Sequence, residues 1–283
     1  MSIEILKSKM KFIVIGGQKC GTTFIQSVLS QSKLISTPYL KETDFFSNNY
    51  EKGLSFYSNY FTNQDAEIFG EISGLYMQKL SIASKILESF PKIKIILIAR
   101  NPIDAVVSGY YHMIQHKDSE GINKFIEDLS YDNKWLLRWM YFKHIDEYSG
   151  ISKKMVKPKV LFFDDLIKNK KMFVKNLFDY IGIKGSNSIS FDKIEQNEAK
   201  TVRFQWLGGL MHKSYINIRK YNLSILRELI EKSNIKKILY RKGVSKEQLS
   251  DNNRIKLIDI YINDIKKLEK YTGRNLSNWY NSK

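Results

Sequence analysis

The sequence predicts an α/β fold, with a parallel β-sheet flanked by helices and a mostly helical C-terminal half. Three short runs at residues 11–16, 93–99 and 159–163 are apolar throughout most of their length, as expected of strands buried on both faces. Segments with helical periodicity lie between these runs, which is the pattern of βαβ units. Ligands of such sheets bind at the carboxyl ends of the strands, so the loops that follow the strands are where we expect a site.

The predicted elements alternate along the chain. The first strand ends at glycines and leads directly into a helix, so strand, glycine loop and helix open a βαβ unit. The elements, in order, are a strand at 11–16, a helix at 22–30, a short apolar segment at 34–36, a helix that ends near 90, a strand at 93–99, helical segments at 103–114 and 122–148, a strand at 159–163, and helices after 166.

Composition favours a globular protein. Of the 283 residues, 43% are hydrophobic and only 4 are proline, so no stretch resembles a long disordered linker, and we predict a single domain over residues 1–283. Cys20 is the one cysteine, which excludes an intrachain disulfide and favours a reducing compartment. No apolar run approaches the roughly 20 residues that span a bilayer. We therefore expect a cytoplasmic protein without a transmembrane segment, and its richness in Lys, Ile and Asn is consistent with a bacterial one.

The net charge of +17 is concentrated in one half of the chain. Residues 1–150 carry 17 Lys and Arg against 16 Asp and Glu, whereas residues 151–283 carry 29 against 13. This asymmetry indicates a basic surface that faces something acidic. Nucleic acid, an anionic membrane surface, an acidic glycan and a nucleotide all fit, so charge alone does not choose among them.

A glycine-containing loop between the first strand and its helix predicts an anion site. Glycines let the backbone turn so that successive N–H groups point inward, and the start of the helix adds a partial positive charge. The loop reads GGQKCGTT over residues 16–23, and its candidate ligand-binding residues are Gln18, Lys19, Cys20, Gly21, Thr22 and Thr23. A standard triphosphate loop has lysine directly after the second glycine. Here Thr22 has that place and the lysine lies inside the loop, at position 19.

The strand at 93–99 ends in Arg100, where a metal-dependent nucleotidase usually has an aspartate. A guanidinium there repels Mg²⁺ and binds a second anionic group. The pattern therefore indicates a nucleotide with two separated anionic groups, and we expect no metal. His112 and His116 have a spacing compatible with a metal, but no third ligand is evident.

These motifs resemble those of the sulfotransferase family. GGQKCGTT looks like the family's 5′-phosphosulfate loop, and ARNPIDAVVSGYYH is similar to its 3′-phosphate segment, which implies that Arg100 and Ser108 hold the 3′-phosphate. KETDFF is similar to an element of the carbohydrate, heparan-sulfotransferase-like branch. FFDDL with LFDYIGI resembles a further strand and helix of the family, and LEKYTGRNLSNW is like the C-terminal signature of bacterial members. Two positions depart from the family pattern, since Ala105 replaces a frequent second arginine and Gly74 replaces a proline.

The resemblance implies a fold related to the P-loop kinases and 3′-phosphoadenosine-5′-phosphosulfate (PAPS) as the sulfuryl donor, with adenosine 3′,5′-bisphosphate as the product. Lys19 would then stabilise the leaving phosphate, and the two loop threonines would donate to the same group. The acceptor must lose a proton, and Glu42 is the first candidate for the base because it lies just beyond the second strand and because the family has a base there. Glu71 and His112 are the alternatives.

Three functions remain open on these observations. The first is a sulfotransferase that acts on a hydroxyl or amine, with a saccharide as the leading acceptor. The second is a metal-dependent kinase or nucleotidase, which the positions of Lys19 and Arg100 disfavour. The third is a module that binds nucleic acid or an anionic surface, which only the charge asymmetry supports, and we predict no nucleic-acid partner. The aromatic residues Trp135, Trp139 and Tyr141 are predicted mainly as core, with stacking on a sugar as their alternative role.

Overall fold

The computed structural model describes residues 1–114, 120–151, 157–191, 200–202, 240–242 and 247–281. Its strands confirm the predicted fold class, because the main sheet is parallel throughout. The strands of this sheet are β1 (Met10–Gly16), β2 (Ile35–Ser36), β3 (Ile68–Ile72), β4 (Lys94–Ala99) and β5 (Lys159–Phe162), in the spatial order β2-β3-β1-β4-β5. A separate antiparallel pair consists of β6 (Lys200–Val202) and β7 (Tyr240–Lys242).

Helices connect and follow the strands. They are α1 (Ile3–Lys9), α2 (Thr22–Leu29), α3 (Gly53–Ser58), α4 (Leu80–Ser89), α5 (Pro102–Met113), α6 (Ile122–Asp128), α7 (Tyr141–Ile151), α8 (Phe163–Lys168), α9 (Lys170–Ile181) and α10 (Asp251–Thr272). Single helical turns of other types lie at Phe45–Asn49, Tyr50–Lys52, Tyr76–Gln78, Leu136–Trp139, Ser186–Ser188 and Ser277–Trp279. Among the described helices, none is both long enough and apolar enough to cross a membrane.

The centre of the sheet forms the core. The consecutive side chains from Phe12 to Ile15 on β1 and from Ile95 to Ala99 on β4 are fully buried, which explains their continuous apolar sequence. After β1 the chain passes to one side of that strand, and β4 then lies on its other side. The loops after β1 and β4 consequently meet at the carboxyl edge, which is the usual location of ligand sites in parallel sheets.

Strand β3 is absent from the sequence prediction, and its residues explain why. Its sequence, IFGEI, interrupts an apolar pattern with Gly70 and Glu71, yet all five residues are buried. A Cβ on Gly70 would overlap the ring of Phe12 on the neighbouring strand, so only glycine fits there. The glycine is therefore a packing requirement and does not mark a turn.

Two compact units can be distinguished in the chain. The first comprises Met1–Val106, Tyr131–Gln196 and Lys256–Lys283 and contains the parallel sheet. The second comprises Val107–Ser130 and Asn197–Ile255. The assignment of residues 1–283 to one domain stays a prediction.

Candidate active site

The glycine loop, residues 16–21, joins the buried strand β1 to helix α2. Two of its residues have left-handed backbone conformations, Lys19 with φ 61° and Gly21 with φ 88°. Glycine adopts this conformation freely, whereas a lysine there is strained by about 1–2 kcal/mol. Strained residues persist where the surrounding structure fixes them, and they are concentrated at functional sites.

Gly21 is required for packing as well as for its backbone conformation. A Cβ at this position would lie 2.8 Å from Cδ2 of Leu166 and 3.2 Å from Cδ2 of Phe163, both on helix α8. The start of helix α2 therefore lies directly against the segment that follows β5. Any larger residue would push these elements apart.

Hydrogen bonds to distant parts of the chain fix the glycine loop through its own backbone. Arg100 donates from Nη1 to the carbonyl of Lys19 at 2.9 Å, and the indole N–H of Trp139 donates to the carbonyl of Gln18 at 3.0 Å. The N–H of Gly17 donates to the carbonyl of Ile98 on β4 at 2.9 Å. With three backbone groups of the loop engaged in this way, the conformation of Lys19 is held from outside the loop.

The guanidinium of Arg100 connects two residues that are predicted to bind the ligand, Arg100 itself and Lys19. Besides its bond to the Lys19 carbonyl, it stacks over the ring of Phe163 at 4.7 Å from the ring centroid. Arginine is suited to this combination because its planar group stacks and donates at the same time. The structure thus brings together Lys19 and Arg100, which are 81 residues apart in the sequence.

Cys20 is the buried thiol of the glycine loop. Its side chain is fully buried, and its Sγ lies 3.3 Å from the hydroxyl of Tyr141, which also accepts a hydrogen bond from the N–H of Arg100. Burial raises the pKa of the Cys20 thiol to about 12, although Tyr141 and the nearby cations act in the opposite direction. Cys20 is therefore a packed thiol in the structure, and Tyr141 connects it to the end of β4.

The first turn of α2 presents hydroxyl groups beside a further cation. Thr22 is buried and Thr23 is half-buried. Lys41 donates from Nζ to Oγ1 of Thr23 at 2.7 Å and lies 3.5 Å from Oγ1 of Thr22. The sequence motifs assign no role to Lys41, and the structure places its ammonium group against the first turn of α2.

Glu42 lies in the KETDFF loop, residues 41–46, which follows β2. It is half-buried and has φ 59°, another left-handed residue that is not glycine. Its Oε1 would be 3.5 Å from a Cβ on Gly74, and Cγ of Gln18 would be 3.4 Å from the same Cβ. The carboxylate therefore borders Gly74 next to the glycine loop.

Glu71 is the centre of a buried polar cluster in the same unit. The carboxylate, fully buried on β3, accepts hydrogen bonds from Thr43 at 2.5 Å, Tyr57 at 2.5 Å and Tyr76 at 2.9 Å. Burial raises its pKa, and these three hydrogen bonds act against that increase. Its described partners are three protein hydroxyls and the backbone of Thr43, so every partner of the carboxylate in the described structure belongs to the protein.

The remaining candidates have a less direct relation to the loop. Ser108 is half-buried on α5, the helix that begins two residues after Arg100, and His112 is exposed one turn further along. His116 lies outside the described residues. Within the part of the chain that the structure describes, no three His, Cys, Asp or Glu side chains are arranged to hold a metal ion.

Comparisons with known proteins identify the family and the fold. The model of the sulfotransferase domain matches residues 9–263. A crystal structure of a sulfotransferase from Alicyclobacillus acidocaldarius superposes with a TM-score of 0.64 over 96% of this chain and 99% of the other, at 18% identity, so the two share the fold.

Curated relatives are longer proteins. The bifunctional heparan sulfate N-deacetylase/N-sulfotransferase 2 of Homo sapiens is 30% identical over 122 residues, which are 40% of this chain and 14% of that protein. The corresponding enzyme 1 of Xenopus laevis is 24% identical over 268 residues, 82% of this chain and 30% of its own length. The chain thus spans less than a third of the length of either relative. With a family model that matches nearly its whole length, this chain belongs to the sulfotransferase family.

Proposed function

We propose that this sulfotransferase moves a sulfuryl group from PAPS to a hydroxyl or amine of a saccharide. The observation that carries the proposal is the contact between the Arg100 guanidinium and the Lys19 carbonyl. It joins the end of β4 to the glycine loop, so that two cationic side chains come from one edge of the sheet. A nucleotide with separated phosphate and phosphosulfate groups has the charge distribution that this edge can bind.

The residues present fit such a donor. Backbone N–H groups at the start of α2, the hydroxyls of Thr22 and Thr23, and the ammonium of Lys19 form a set of hydrogen-bond donors suited to the 5′-phosphosulfate. Arg100 and Ser108 would hold the 3′-phosphate. Gln18, Cys20 and Gly21 shape the loop around the phosphosulfate. The donor enters as a substrate and leaves as adenosine 3′,5′-bisphosphate.

The proposed reaction is a direct transfer. The bond between sulfur and the bridging phosphate oxygen breaks, its electron pair stays on the phosphate, and a new bond forms between sulfur and the acceptor oxygen or nitrogen. Lys19 stabilises the negative charge that develops on the departing phosphate. Glu42 takes the proton of the acceptor, for which its carboxylate is suited by its position beside Gly74 and Gln18.

Two observations support a saccharide acceptor. The first is that the relatives are heparan sulfate N-deacetylase/N-sulfotransferases, and heparan sulfate is a saccharide. The second is the KETDFF loop, which resembles that of the carbohydrate branch and lies next to the glycine loop. Neither observation identifies the position of the saccharide that receives the sulfuryl group.

Transfer from labelled PAPS tests the proposal. Lys19→Ala should lower kcat about 10²- to 10³-fold through loss of charge stabilisation. Glu42→Gln should lower it about 10²- to 10⁴-fold while affinity for adenosine 3′,5′-bisphosphate is retained. Lys33→Ala and Glu51→Gln, at exposed positions, are the matched controls and should keep full activity. Full turnover in both site variants would refute these roles.

A thermal-shift measurement tests the choice of donor. We expect adenosine 3′,5′-bisphosphate to raise the melting temperature and ATP with Mg²⁺ to have little effect, because a ligand that binds the folded state stabilises it by an amount that grows with the logarithm of its affinity. The reverse order would favour the kinase alternative. Salt-sensitive binding to duplex DNA, with no response to the bisphosphate, would favour a nucleic-acid module. A single domain, a cytoplasmic location and a bacterial origin stay predictions.

A further inference from the structure

Glu71 is a fully buried carboxylate that the proposed chemistry does not use. It lies on β3, whose register pairs it with Ile13 of the central strand. Thr43, Tyr57 and Tyr76 all direct hydroxyl groups at it, and each of these side chains is itself almost completely buried. A buried carboxylate with three hydroxyl partners is a specific arrangement, because an unsatisfied charge in the core is strongly unfavourable.

The hydrogen atoms of this cluster can be assigned. Each hydroxyl has one hydrogen, and the geometry directs the hydrogens of Thr43 and Tyr76 to Oε1 and that of Tyr57 to Oε2. Thr43 Oγ1 then accepts the N–H of Phe45 at 3.1 Å, and Tyr76 Oη accepts the N–H of Phe46 at 3.4 Å. The cluster therefore extends from the carboxylate on the sheet to two backbone groups of the KETDFF loop.

Thr43 has a special place in that loop. It lies between Glu42 and Asp44, whose φ angles of 59° and 54° are both left-handed. Glu42 and Asp44 keep these strained conformations only if the surrounding structure holds Thr43 in place between them. The anchor is the 2.5 Å hydrogen bond from Thr43 to Glu71. Release of this bond would let the backbone at residues 42–44 relax and would reorient the Glu42 side chain.

We propose that Glu71 is a positioning residue, which fixes the KETDFF loop through Thr43 and so directs the carboxylate of Glu42 toward the acceptor. The inference rests on the proposed role of Glu42 as the base. It also removes Glu71 as a candidate base. With no exposed surface and with both oxygens engaged by protein hydroxyls, Glu71 has no path to an acceptor.

The replacement Thr43→Val tests the anchor. Valine keeps the branched shape and removes only the hydroxyl, so residue 43 loses its side-chain bond to Glu71 and its acceptor for the N–H of Phe45. We expect kcat to fall about 10- to 100-fold, since a displacement of about 1 Å in a catalytic group has effects of this size. Affinity for adenosine 3′,5′-bisphosphate should change less than about two-fold, because the residues proposed to bind the donor lie outside this cluster. Thr43→Ser restores a hydroxyl and should restore most of the rate.

A double-mutant cycle separates positioning from general structural damage. If Thr43 acts through Glu42, the pair Glu42→Gln with Thr43→Val should have the same kcat as Glu42→Gln alone. Losses that multiply in the double variant would overturn the inference while leaving the function of Glu42 intact. Full activity of Glu42→Gln would instead refute the proposed base, and the positioning role with it.

A second variant covers the case in which Thr43→Val does not fold. Tyr57→Phe removes the donor to the other oxygen of Glu71 and keeps the aromatic ring that packs on Phe45 and Phe46, so it loosens the anchor indirectly. We expect a smaller loss of kcat, of roughly 3- to 10-fold, again without a further loss in the background of Glu42→Gln. Its control is Tyr261→Phe, which removes a buried hydroxyl that donates to the carbonyl of Leu136 at 2.6 Å. An equal loss of kcat in that control would contradict the proposed positioning.

Discussion

The glycine loop and the KETDFF loop lie at the same edge of the sheet, and each holds a charged residue in a left-handed conformation. Lys19 has φ 61° and Glu42 has φ 59°. The first loop is fixed through its own backbone carbonyls, which accept from Arg100 and Trp139. The second is fixed through a side-chain hydroxyl that donates to a buried carboxylate.

The difference indicates how each loop can respond to a ligand. In the glycine loop two carbonyls are engaged by side chains, which leaves backbone N–H groups at the start of α2 for an anion. In the KETDFF loop Phe45 and Phe46 direct their N–H groups inward, and the loop presents the side chain of its second residue. In the proposed function, one loop offers backbone donors and the other offers the carboxylate of Glu42.

The largest expected effect comes from Gly21→Ala. The new methyl group combines a left-handed backbone, at about 1–2 kcal/mol, with a contact 2.8 Å from Leu166, at about 1–3 kcal/mol. We expect the free energy of unfolding to fall by about 2–5 kcal/mol, measured by chemical denaturation. Gly273→Ala is the matched control, because its φ of 69° is similar and nothing lies within 4 Å of its Cβ, so only the backbone cost applies. Equal losses in both variants would show that packing against α8 does not fix this loop.

A smaller effect is expected from Arg100→Lys. Lysine keeps the charge but loses the planar group that both stacks on Phe163 and donates to the Lys19 carbonyl. Affinity for adenosine 3′,5′-bisphosphate, measured by calorimetry, should fall about 10- to 100-fold, as for a hydrogen bond to a charged group. Arg274→Lys is the control, since Arg274 lies over the adjacent Phe162 at 4.1 Å and pairs with Asp165. Unchanged affinity in Arg100→Lys would remove Arg100 from the anion site.

The smallest effect is expected when iodoacetamide is added to the native protein. Only the thiolate reacts, and a thiol pKa raised to about 12 keeps Cys20 protonated through pH 7–10, so alkylation should be negligible there. Because the pKa of the thiol is raised, the thiolate forms only at pH values well above those at which an ordinary cysteine ionises, and alkylation appears only there. Mass spectrometry of native and urea-unfolded protein checks this, with rapid labelling expected only after unfolding. Fast labelling of the native state near pH 8 would show that the base of the glycine loop is open.

Much of the fold follows from sequence patterns. Continuous apolar runs predict β1, β4 and β5, because strands buried on both faces need no alternation. Strand β3 is not predicted, since the requirement for Gly70 lies in the ring of Phe12 on a neighbouring strand. The antiparallel pair of β6 and β7 differs from the helical prediction for the region after residue 166. Three-residue strands are too short to show a period.

The candidate site was also predictable only in part from the sequence. Lys19, the loop threonines and Arg100 are identifiable because local motifs contain them, and the structure brings Arg100 to the Lys19 carbonyl. Trp139 and Tyr141 are predicted mainly as core, and they are buried, but each also bonds to the site through one polar atom. These bonds join residues 41 and 121 positions apart, and no local sequence signal encodes such pairs. The roles of Lys19, the loop threonines and Arg100 in binding a ligand stay predictions, as do those of Glu42 and Ser108.

The ammonium of Lys41 has a consequence for the hydroxyl beside it. An ammonium group carries hydrogens and no lone pair, so Oγ1 of Thr23 can only accept in their 2.7 Å contact. The one hydrogen of Thr23 is left to point elsewhere, and its O–H bond is polarised by the neighbouring positive charge. The contact with Lys41 therefore restricts the rotation of the Thr23 hydroxyl before an anion binds, and less rotational freedom would be lost on binding.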